Sequence, residues 1–373
     1  MKKFYPVNIP KVNKSDIDSV TKVMKNGWIS SDGPEVKVFE ENFSKFINKK
    51  HSISVSNGTA ALEIALKAIG IGPGDEVIIP NFTIISNALA VIKLRATPIL
   101  VDCGIYDWNI NIESMKKKIT SKTKAIIITH IYSFSNPMEK IIPILKKRNK
   151  KIVIVEDAAE VIGLSYNNKM CGSFGDISTF SFYANKHVTT GEGGMICTSN
   201  KSYALKCRDL RNLCFGKNER FNHTDIGWNY RFTNIQAAIG ISQLKNIDKV
   251  IKKKISIGKL YCKLLSKNVN IFIQRPKVKN FKNVYWVVGI LILNNKVSAK
   301  ELSLKLLKKG IQTRPFFYPM NKQKILSDFL KKDKDKYPNS EHISKYGLYL
   351  PSYFDLKTKD VEAICHEINA LLV

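Results

Sequence analysis

The 373-residue chain has no hydrophobic run of the roughly 18 residues that a membrane-spanning helix requires. Its first residues do not pair a basic start with a long apolar stretch, which is the pattern of a secretory signal. Its seven cysteines form no C-x-x-C pair, which argues against a zinc site and a disulfide framework. We therefore expect a cytoplasmic protein that holds no metal and binds no membrane.

Acidic residues are also scarce, with 31 Asp and Glu against 60 Lys and Arg, and the formal net charge is +29. Such a charge is typical of nucleic-acid-binding proteins. The excess, however, is mostly lysine in short runs such as Lys116–Lys118 and Lys252–Lys254, which fit solvated helix faces. The sequence contains no zinc-finger spacing, RNP-type strand or basic zipper. We therefore expect no nucleic-acid partner.

Short apolar segments alternate with helical patterns over the first two thirds of the chain. The predicted strands are His51–Val55, Glu76–Ile79, Pro98–Val101, Ala125–Thr129, Ile152–Val155, Ile177–Phe182 and Gly194–Thr198. This alternation predicts an α/β fold with a mainly parallel sheet and helices on both of its faces.

The length of the chain allows one large domain and one smaller domain. We expect a large domain over residues 1–250 and a smaller C-terminal α/β domain over residues 251–373, bridged by a long helix around Asn234–Lys263. In the smaller domain the patterns predict a strand at Val284–Leu293 and a helix at Ala299–Lys309.

One lysine stands in a distinctive run, Phe180–Met195, which passes from an apolar, strand-like segment through Lys186 into a glycine-rich bend. A lysine forms a Schiff base only as the free amine, which apolar or cationic neighbours favour by lowering its pKa. The small residues nearby would leave room for a flat cofactor. The alternative is a solvated lysine in a loop of a lysine-rich chain.

The segment Lys151–Glu160 has the pattern of a buried parallel strand that ends in acidic residues. Ligands of open α/β sheets bind beyond the carboxyl ends of the strands, where Asp157 and Glu160 are expected. A carboxylate there could hold a proton on the ring nitrogen of pyridoxal phosphate (PLP) and keep the ring an electron sink. The same acids could instead end the strand or cap the next helix.

A third segment, Ser56–Leu62, leads from a strand pattern into a helical one through small residues. Backbone N–H groups at such a helix start can bind a phosphate. Helix capping by Ser56, Asn57 or Thr59 is the structural alternative. A phosphate cradle, a ring-nitrogen acid and a lysine, in this order, are what a PLP enzyme needs.

These three segments, together with Asn26–Pro34, Asp225–Asn234 and Thr313–Pro319, resemble the DegT/DnrJ/EryC1/StrS family of nucleotide-sugar aminotransferases nearly from end to end. The resemblance implies the fold type I architecture of PLP-dependent aminotransferases. It also implies a homodimer in which each active site is shared between two subunits.

The resemblance implies catalytic roles for two residues. Lys186 would bond the cofactor and then move protons, and Asp157 would pair with the pyridine nitrogen. Glu160 would lie near the phenolic oxygen of the cofactor. Some relatives with histidine at the lysine position are PLP-dependent sugar dehydratases, so Lys186 favours transamination. His187 is expected to be a packed or polar-facing neighbour rather than a catalyst.

Cofactor contacts are also implied by the resemblance. The phosphate would be bound by Gly58, Thr59 and Ser181, and Asn229 would reach the phosphate in the neighbouring subunit. Relatives usually carry an aromatic residue, stacked on the cofactor, at the position of Ile84. The packing here would therefore be aliphatic, or would come from a nearby ring such as that of Phe82.

Substrate contacts are expected from Trp28, Ser30, Arg231 and Arg314, and we assign Arg314 to the diphosphate of the substrate. An arginine fork suits phosphate and carboxylate groups. Interface ion pairs are an equally good interpretation of the cluster Arg208, Arg211, Arg220 and Arg231.

The loop His130–Met138 departs from the family pattern. Relatives usually have glycine after the tyrosine of this loop and aspartate before its methionine, whereas this chain has Ser133 and Pro137. The loop lies near the cofactor in relatives. Both changes therefore bear on the identity of the sugar rather than on the class of reaction.

The resemblance implies a two-stage transfer in which L-glutamate gives its amino group to PLP. The amino group then passes to C4 of a nucleotide-linked 4-keto-6-deoxyhexose. GDP-4-keto-6-deoxymannose is the expected sugar, and UDP- and dTDP-linked sugars are the near alternatives. A PLP-dependent sugar dehydratase and a catalytically silent binding protein are less favoured.

Overall fold

The computed structural model describes residues 3–216, 219, 221–275, 282–294 and 296–372, so that Arg220 lies outside the described residues. The strands are β1 (His51–Val55), β2 (Glu76–Pro80), β3 (Thr97–Val101), β4 (Thr123–Thr129), β5 (Val153–Asp157), β6 (Ser165–Tyr166), β7 (Lys169–Met170), β8 (Ile177–Ser181), β9 (Gly194–Thr198), β10 (Ile271–Ile273), β11 (Val288–Ile292), β12 (Arg314–Pro315) and β13 (Gly347–Leu350).

The α-helices in the described ranges are α1 (Lys14–Asn26), α2 (Pro34–Ile47), α3 (Gly58–Ala68), α4 (Ser86–Lys93), α5 (Ile112–Lys118), α6 (Met138–Arg148), α7 (Lys201–Arg211), α8 (Asn234–Lys245), α9 (Ile247–Leu265), α10 (Ala299–Lys308), α11 (Pro338–Tyr346) and α12 (Thr358–Leu371). Several begin at a capping side chain, as the sequence chemistry favours. Asn57, for example, accepts a hydrogen bond from the backbone N–H of Ala60 at 2.8 Å and starts α3.

The large sheet has the strand order β1-β9-β8-β5-β4-β2-β3. The pairs β2–β3, β2–β4, β4–β5 and β5–β8 are parallel, whereas β9 is antiparallel to both β1 and β8. The mainly parallel sheet therefore agrees with the prediction, and its carboxyl edge brings the ends of β5 and β8 side by side.

All seven predicted strands of the large sheet are present, and their ends differ from the predicted ones by at most two residues. The single helix predicted around Asn234–Lys263 is wrong, because α8 and α9 are separate helices. The chain leaves helical geometry at Asn246, whose φ and ψ are −99° and 4°. Its N–H bonds to the carbonyl of Gln243 at 3.1 Å and closes the end of α8.

A second, antiparallel sheet has the order β10-β11-β13-β12 and packs with α9, α10 and α12 around an apolar core that also includes Phe82, Trp108 and Tyr132. The strand predicted at Val284–Leu293 is shortened to β11, because Tyr285 adopts a left-handed φ of 48°. The N-terminal segment joins this part of the molecule. Tyr5 donates its backbone N–H to the carbonyl of Gly310 at 2.7 Å.

We find no helix in the described ranges that combines the length and the apolar character needed to cross a membrane.

Candidate active site

A cavity of about 460 Å³ opens at the carboxyl ends of β5 and β8, beside the first turn of α3. Its walls come from the large sheet on one side and from β12, β13 and the segment before β11 on the other. The cavity brings together eight of the residues predicted to form a site, namely Gly58, Thr59, Ile84, Asp157, Glu160, Ser181, Lys186 and Arg314.

Lys186 lies in a turn after β8, where its backbone N–H donates to the carbonyl of Tyr183 at 2.9 Å. Its Nζ sits over the ring of Trp286, 3.6 Å from the centroid. Desolvation of the amine lowers the pKa of Lys186, while the carboxylates of Glu160 and Asp157 act in the opposite direction. A lowered pKa favours the free amine that Schiff-base chemistry needs.

Asp157 is the last residue of β5 and is almost fully buried. One of its oxygens accepts the backbone N–H of Ala159 at 3.2 Å, and the other accepts the hydroxyl of Thr129 at 3.4 Å. Burial raises the pKa of the Asp157 carboxyl, and the N–H of Ala159, the charge of Lys186 and the side chain of Asn87 oppose the rise. A cation placed against this carboxylate would therefore gain a strong partner.

Glu160 lies three residues beyond β5, and its carboxylate accepts the backbone N–H of Tyr132 at 2.7 Å. Burial raises the pKa of Glu160 to about 7, although the charge of Lys186 opposes the rise. Lys186, Asp157 and Glu160 therefore form one buried group of interacting charges, in which each proton position depends on the others.

The first turn of α3 faces the same cavity. A Cβ added to Gly58 would meet the Cβ of Ser181 at 3.0 Å, so that glycine leaves the space beside the helix start open. The Thr59 hydroxyl is 2.8 Å from that of Ser86. Backbone N–H groups at a helix start favour an anion, and hydroxyl groups beside them can donate to it.

These residues fit PLP. The cavity offers a helix start for the phosphate, a buried carboxylate for the ring nitrogen and a desolvated lysine for the aldehyde. Two further polar atoms on its wall, Thr179 Oγ1 and Asn185 Oδ1, make no hydrogen bond with the described residues. Such orphaned atoms are expected where a ligand supplies the partner.

Four predicted residues lie outside this cavity. Asn229 is exposed and forms an isolated bridge with Asn212, and Arg231 donates to the side-chain oxygen of Asn212 at 2.8 Å. Trp28 is 57% exposed. Ser30 is exposed as well, and its carbonyl accepts the N–H of Asn234 at 2.9 Å. Their binding roles stay predictions.

His187 is buried beside the cavity, and its Nδ1 lies 3.1 Å from the carbonyl of Ile162. Burial lowers the pKa of His187 to about 3, so the ring is neutral at physiological pH. It is a packed neighbour, as expected.

The second wall of the cavity is aromatic and was missed by the sequence analysis. Trp286 contacts the lysine amine, and the ring of Phe317 stacks on that of Tyr132, from the turn after β4, with the centroids 5.1 Å apart. Tyr349 belongs to β13 and also lines the cavity. No local signal could have found Trp286 or Tyr349, because packing of the second sheet brings them to Lys186.

Ile84 lines the cavity and is 43% exposed. Phe82, the alternative stacking ring, is fully buried against the rings of Tyr132, Phe316 and Phe317 and is not part of the cavity wall. The aliphatic interpretation of the stacking position is therefore the one that the geometry favours.

Among the described residues we find no group of three or more His, Cys, Asp and Glu side chains arranged to hold a metal ion.

The class of protein follows from this fold and site together with comparisons with known proteins. Residues 10–369 match the DegT/DnrJ/EryC1/StrS aminotransferase family. The chain belongs to this family, as the motifs predicted. It is an enzyme, and the cofactor of aminotransferases of this family is PLP.

Individual relatives match over nearly the whole chain. The chain is 39% identical to GDP-perosamine synthase of Escherichia coli O157:H7, a match that covers 98% of both chains. It is 35% identical to GDP-perosamine synthase of Caulobacter vibrioides, again over 98% of both. Among solved structures, Helicobacter pylori PseC, an aminotransferase involved in the biosynthesis of pseudoaminic acid, has a TM-score of 0.92 at 24% identity. That match covers 99% of both chains. The predicted fold type I architecture is confirmed.

Proposed function

We propose that the enzyme transfers the amino group of L-glutamate to C4 of GDP-4-keto-6-deoxymannose and forms GDP-perosamine. The observation that carries the proposal is the group Lys186, Asp157 and Glu160 at the helix start of α3, within a chain that matches GDP-perosamine synthases from end to end. Lysine, rather than histidine, at residue 186 favours transamination over dehydration.

Different residues of the cavity would bind different parts of the cofactor. Gly58, Thr59 and Ser181 would bind its phosphate at the helix start, and Asp157 would hold a proton at the ring nitrogen. PLP, when bound, supplies an electron sink that stabilises negative charge on the carbon that carries the amino group.

The proton transfers would be the work of Lys186. Its Nζ would take a proton from Cα of glutamate in the first half of the reaction and deliver one to C4 of the sugar in the second half. This acid/base role requires that the amine titrate near the working pH. The lowered pKa of Lys186 supports this role, because it favours the free amine.

Arg314 would bind the diphosphate of the nucleotide sugar. Arg314 is exposed and lines the cavity, and its guanidinium can form two parallel hydrogen bonds with phosphate oxygens. The charge of +29 adds a field that attracts a doubly charged diphosphate from solution.

We propose further that the enzyme is a homodimer with shared active sites. The exposure of Trp28 and Asn229, outside the cavity of their own chain, supports contacts with a second copy. Mixing K186A and N229A subunits tests this proposal, because one heterodimer site would contain both native residues. Recovery of about a quarter of native activity is expected from random pairing. Activity equal to the sum of the separate variants would overturn the shared site.

We also propose a division into a PLP-binding domain over residues 1–250 and a smaller domain over residues 251–373, and a cytoplasmic location. The apolar core around the second sheet supports the division, although Val7 of the N-terminal segment and the buried rings of Phe82, Trp108 and Tyr132 belong to the same core.

A panel of GDP-, UDP- and dTDP-linked 4-keto-6-deoxyhexoses, each incubated with L-glutamate and the PLP-loaded protein, tests the choice of sugar. The proposal expects amination of the GDP-mannose-derived ketone at the highest kcat/KM. Preference for a UDP- or dTDP-linked sugar would move the assignment to that nucleotide. Loss of water from the sugar without nitrogen transfer would indicate a dehydratase.

A further inference from the structure

One contact joins the two walls of the cavity through a residue that departs from the family pattern. Ser133 is fully buried in the loop before α6. Its hydroxyl donates to the backbone carbonyl of Glu160 at 3.0 Å and accepts the backbone N–H of Trp286 at 2.8 Å. A glycine at this position would have neither hydrogen bond.

The backbone at this contact is in an unfavourable conformation. Tyr132 and Ser133 have φ values of 48° and 68°, and Tyr285, beside Trp286, has φ of 48°. Residues other than glycine rarely adopt this left-handed region, and they persist there only where the surrounding contacts hold them. The serine hydroxyl is one such contact, since it ties both strained segments together.

Both partners of the hydroxyl act on the Lys186 amine, Trp286 through its ring and Glu160 through its charge. Glu160 is held at two points, its carboxylate by the N–H of Tyr132 and its carbonyl by Ser133. Trp286 places its ring over the Lys186 amine, and its Nε1 donates to the carbonyl of Asn185 at 2.9 Å. Two hydrogen bonds therefore hold the ring of Trp286 in place, one from its backbone N–H to Ser133 and one from its indole N–H to Asn185.

We propose that Ser133 is a positioning residue, whose hydroxyl holds Trp286 and Glu160 against the Lys186 amine. Serine is strained in the left-handed backbone conformation of this position, which glycine would adopt without strain. The inference rests on the proposed function, because Lys186 must be the reacting group for its surroundings to matter.

Two substitutions separate this role from a purely structural one. S133A keeps the strain and removes the hydroxyl, whereas S133G removes both. S133G should therefore have a higher thermal midpoint of unfolding than S133A, because both lack the hydroxyl and only glycine accepts a φ of 68° without strain. S135A is the matched control, since the Ser135 hydroxyl donates to the Asn136 carbonyl in the same loop and does not line the cavity.

The rate at which L-glutamate removes the visible absorption of the PLP-loaded protein measures the first half of the reaction. We expect both S133A and S133G to lower its maximal rate about tenfold, with the half-saturating glutamate concentration changed less than about twofold. S135A should retain the parent rate. A parent-like rate in either Ser133 variant, or an equal loss in S135A, would overturn the proposal.

Tryptophan fluorescence of the cofactor-free protein gives a readout that needs no activity. The chain has four tryptophans, and W286F measures the signal of the other three. Acrylamide should quench the Trp286 component more strongly in S133A and S133G than in the parent. Unchanged quenching would contradict a positioning role. Failure of the parent itself to respond to glutamate would instead count against the proposed function.

Discussion

The two walls of the cavity differ in chemistry and in origin. The wall from the large sheet carries the ionisable groups Lys186, Asp157 and Glu160, within or just beyond strands of a parallel sheet. The wall from the second sheet carries the rings of Trp286 and Tyr349. The reacting charges lie at the edge of the large sheet, and the rings of the second wall cover them with apolar surface.

This difference explains how one lysine can be both buried and reactive. The aromatic wall removes water from the amine, which lowers its pKa, while the carboxylates opposite keep part of its charge. Neither wall alone would produce a titratable amine in a dry site. Substitutions that remove a group from one wall or the other therefore test this difference.

Removal of Lys186 should have the largest effect. K186A is expected to lower turnover at least about a thousandfold, because no other group on the cavity wall can both bond the aldehyde and move the protons. Steady-state assays with the sugar and glutamate measure it. K201A, at the exposed first residue of α7, is the control and should keep native turnover. Native turnover in K186A would contradict the account.

Neutralising Asp157 should come next. D157N keeps the shape of the side chain but removes the charge that would hold a proton at the ring nitrogen, so the glutamate half-reaction should slow about 100-fold or more. Stopped-flow absorbance measures the rate. D248N, an exposed acid at the start of α9, serves for comparison. If D157N reacts as fast as the parent, the carboxylate has another role.

The aromatic wall should tolerate more. W286A is expected to slow the half-reaction about tenfold, which corresponds to the loss of a cation–π contact and of packing over the amine. W286F keeps a ring over Nζ and should lose less. The ratio of the two rates sharpens the comparison between the walls. A loss in W286A as large as that in K186A would mean that the walls are not chemically distinct.

Glu160 should give the smallest effect, seen in stability. Its pKa is raised from 4.5 to about 7 in the folded protein, so the folded state binds the proton more tightly than the unfolded state. The contribution of Glu160 to the free energy of unfolding should therefore be fully present below about pH 4.5 and should be lost as pH rises towards 7.

The matching variant is E160Q, whose amide does not titrate. As pH rises, the free energy of unfolding of cofactor-free E160Q should fall by less than that of the cofactor-free parent. The difference should be on the order of 1 kcal/mol, as measured by urea unfolding at several pH values. An identical pH dependence in the parent and E160Q would show that Glu160 does not titrate in this range.

The wall from the large sheet could be predicted from the sequence, whereas the wall from the second sheet could not. The strand patterns located β5 and β8, and therefore the positions of Asp157 and Lys186, because ligands bind beyond the carboxyl ends of parallel strands. Trp286 was not predictable, since it meets Lys186 only after the second sheet has packed. The break at Asn246 was also missed, because the helical pattern continues across it.

Ser133 shows the limit most clearly. The resemblance indicated a departure from the family pattern at Ser133, but the proposed role of this residue rests on a φ of 68° and on two hydrogen bonds across the cavity. The proposed roles of Trp28, Ser30, Asn229 and Arg231 would also depend on packing, in their case against the second copy of the proposed homodimer.

Borohydride reduction of the PLP-loaded protein, followed by mass spectrometry of its peptides, tests the central claim most directly. Reduction makes a lysine–cofactor bond permanent, so the modified residue can be identified in a chain that contains many lysines. We expect the cofactor mass on the peptide that contains Lys186 and its absence in K186A. Modification of a different lysine, or none, would contradict the assignment of this cavity.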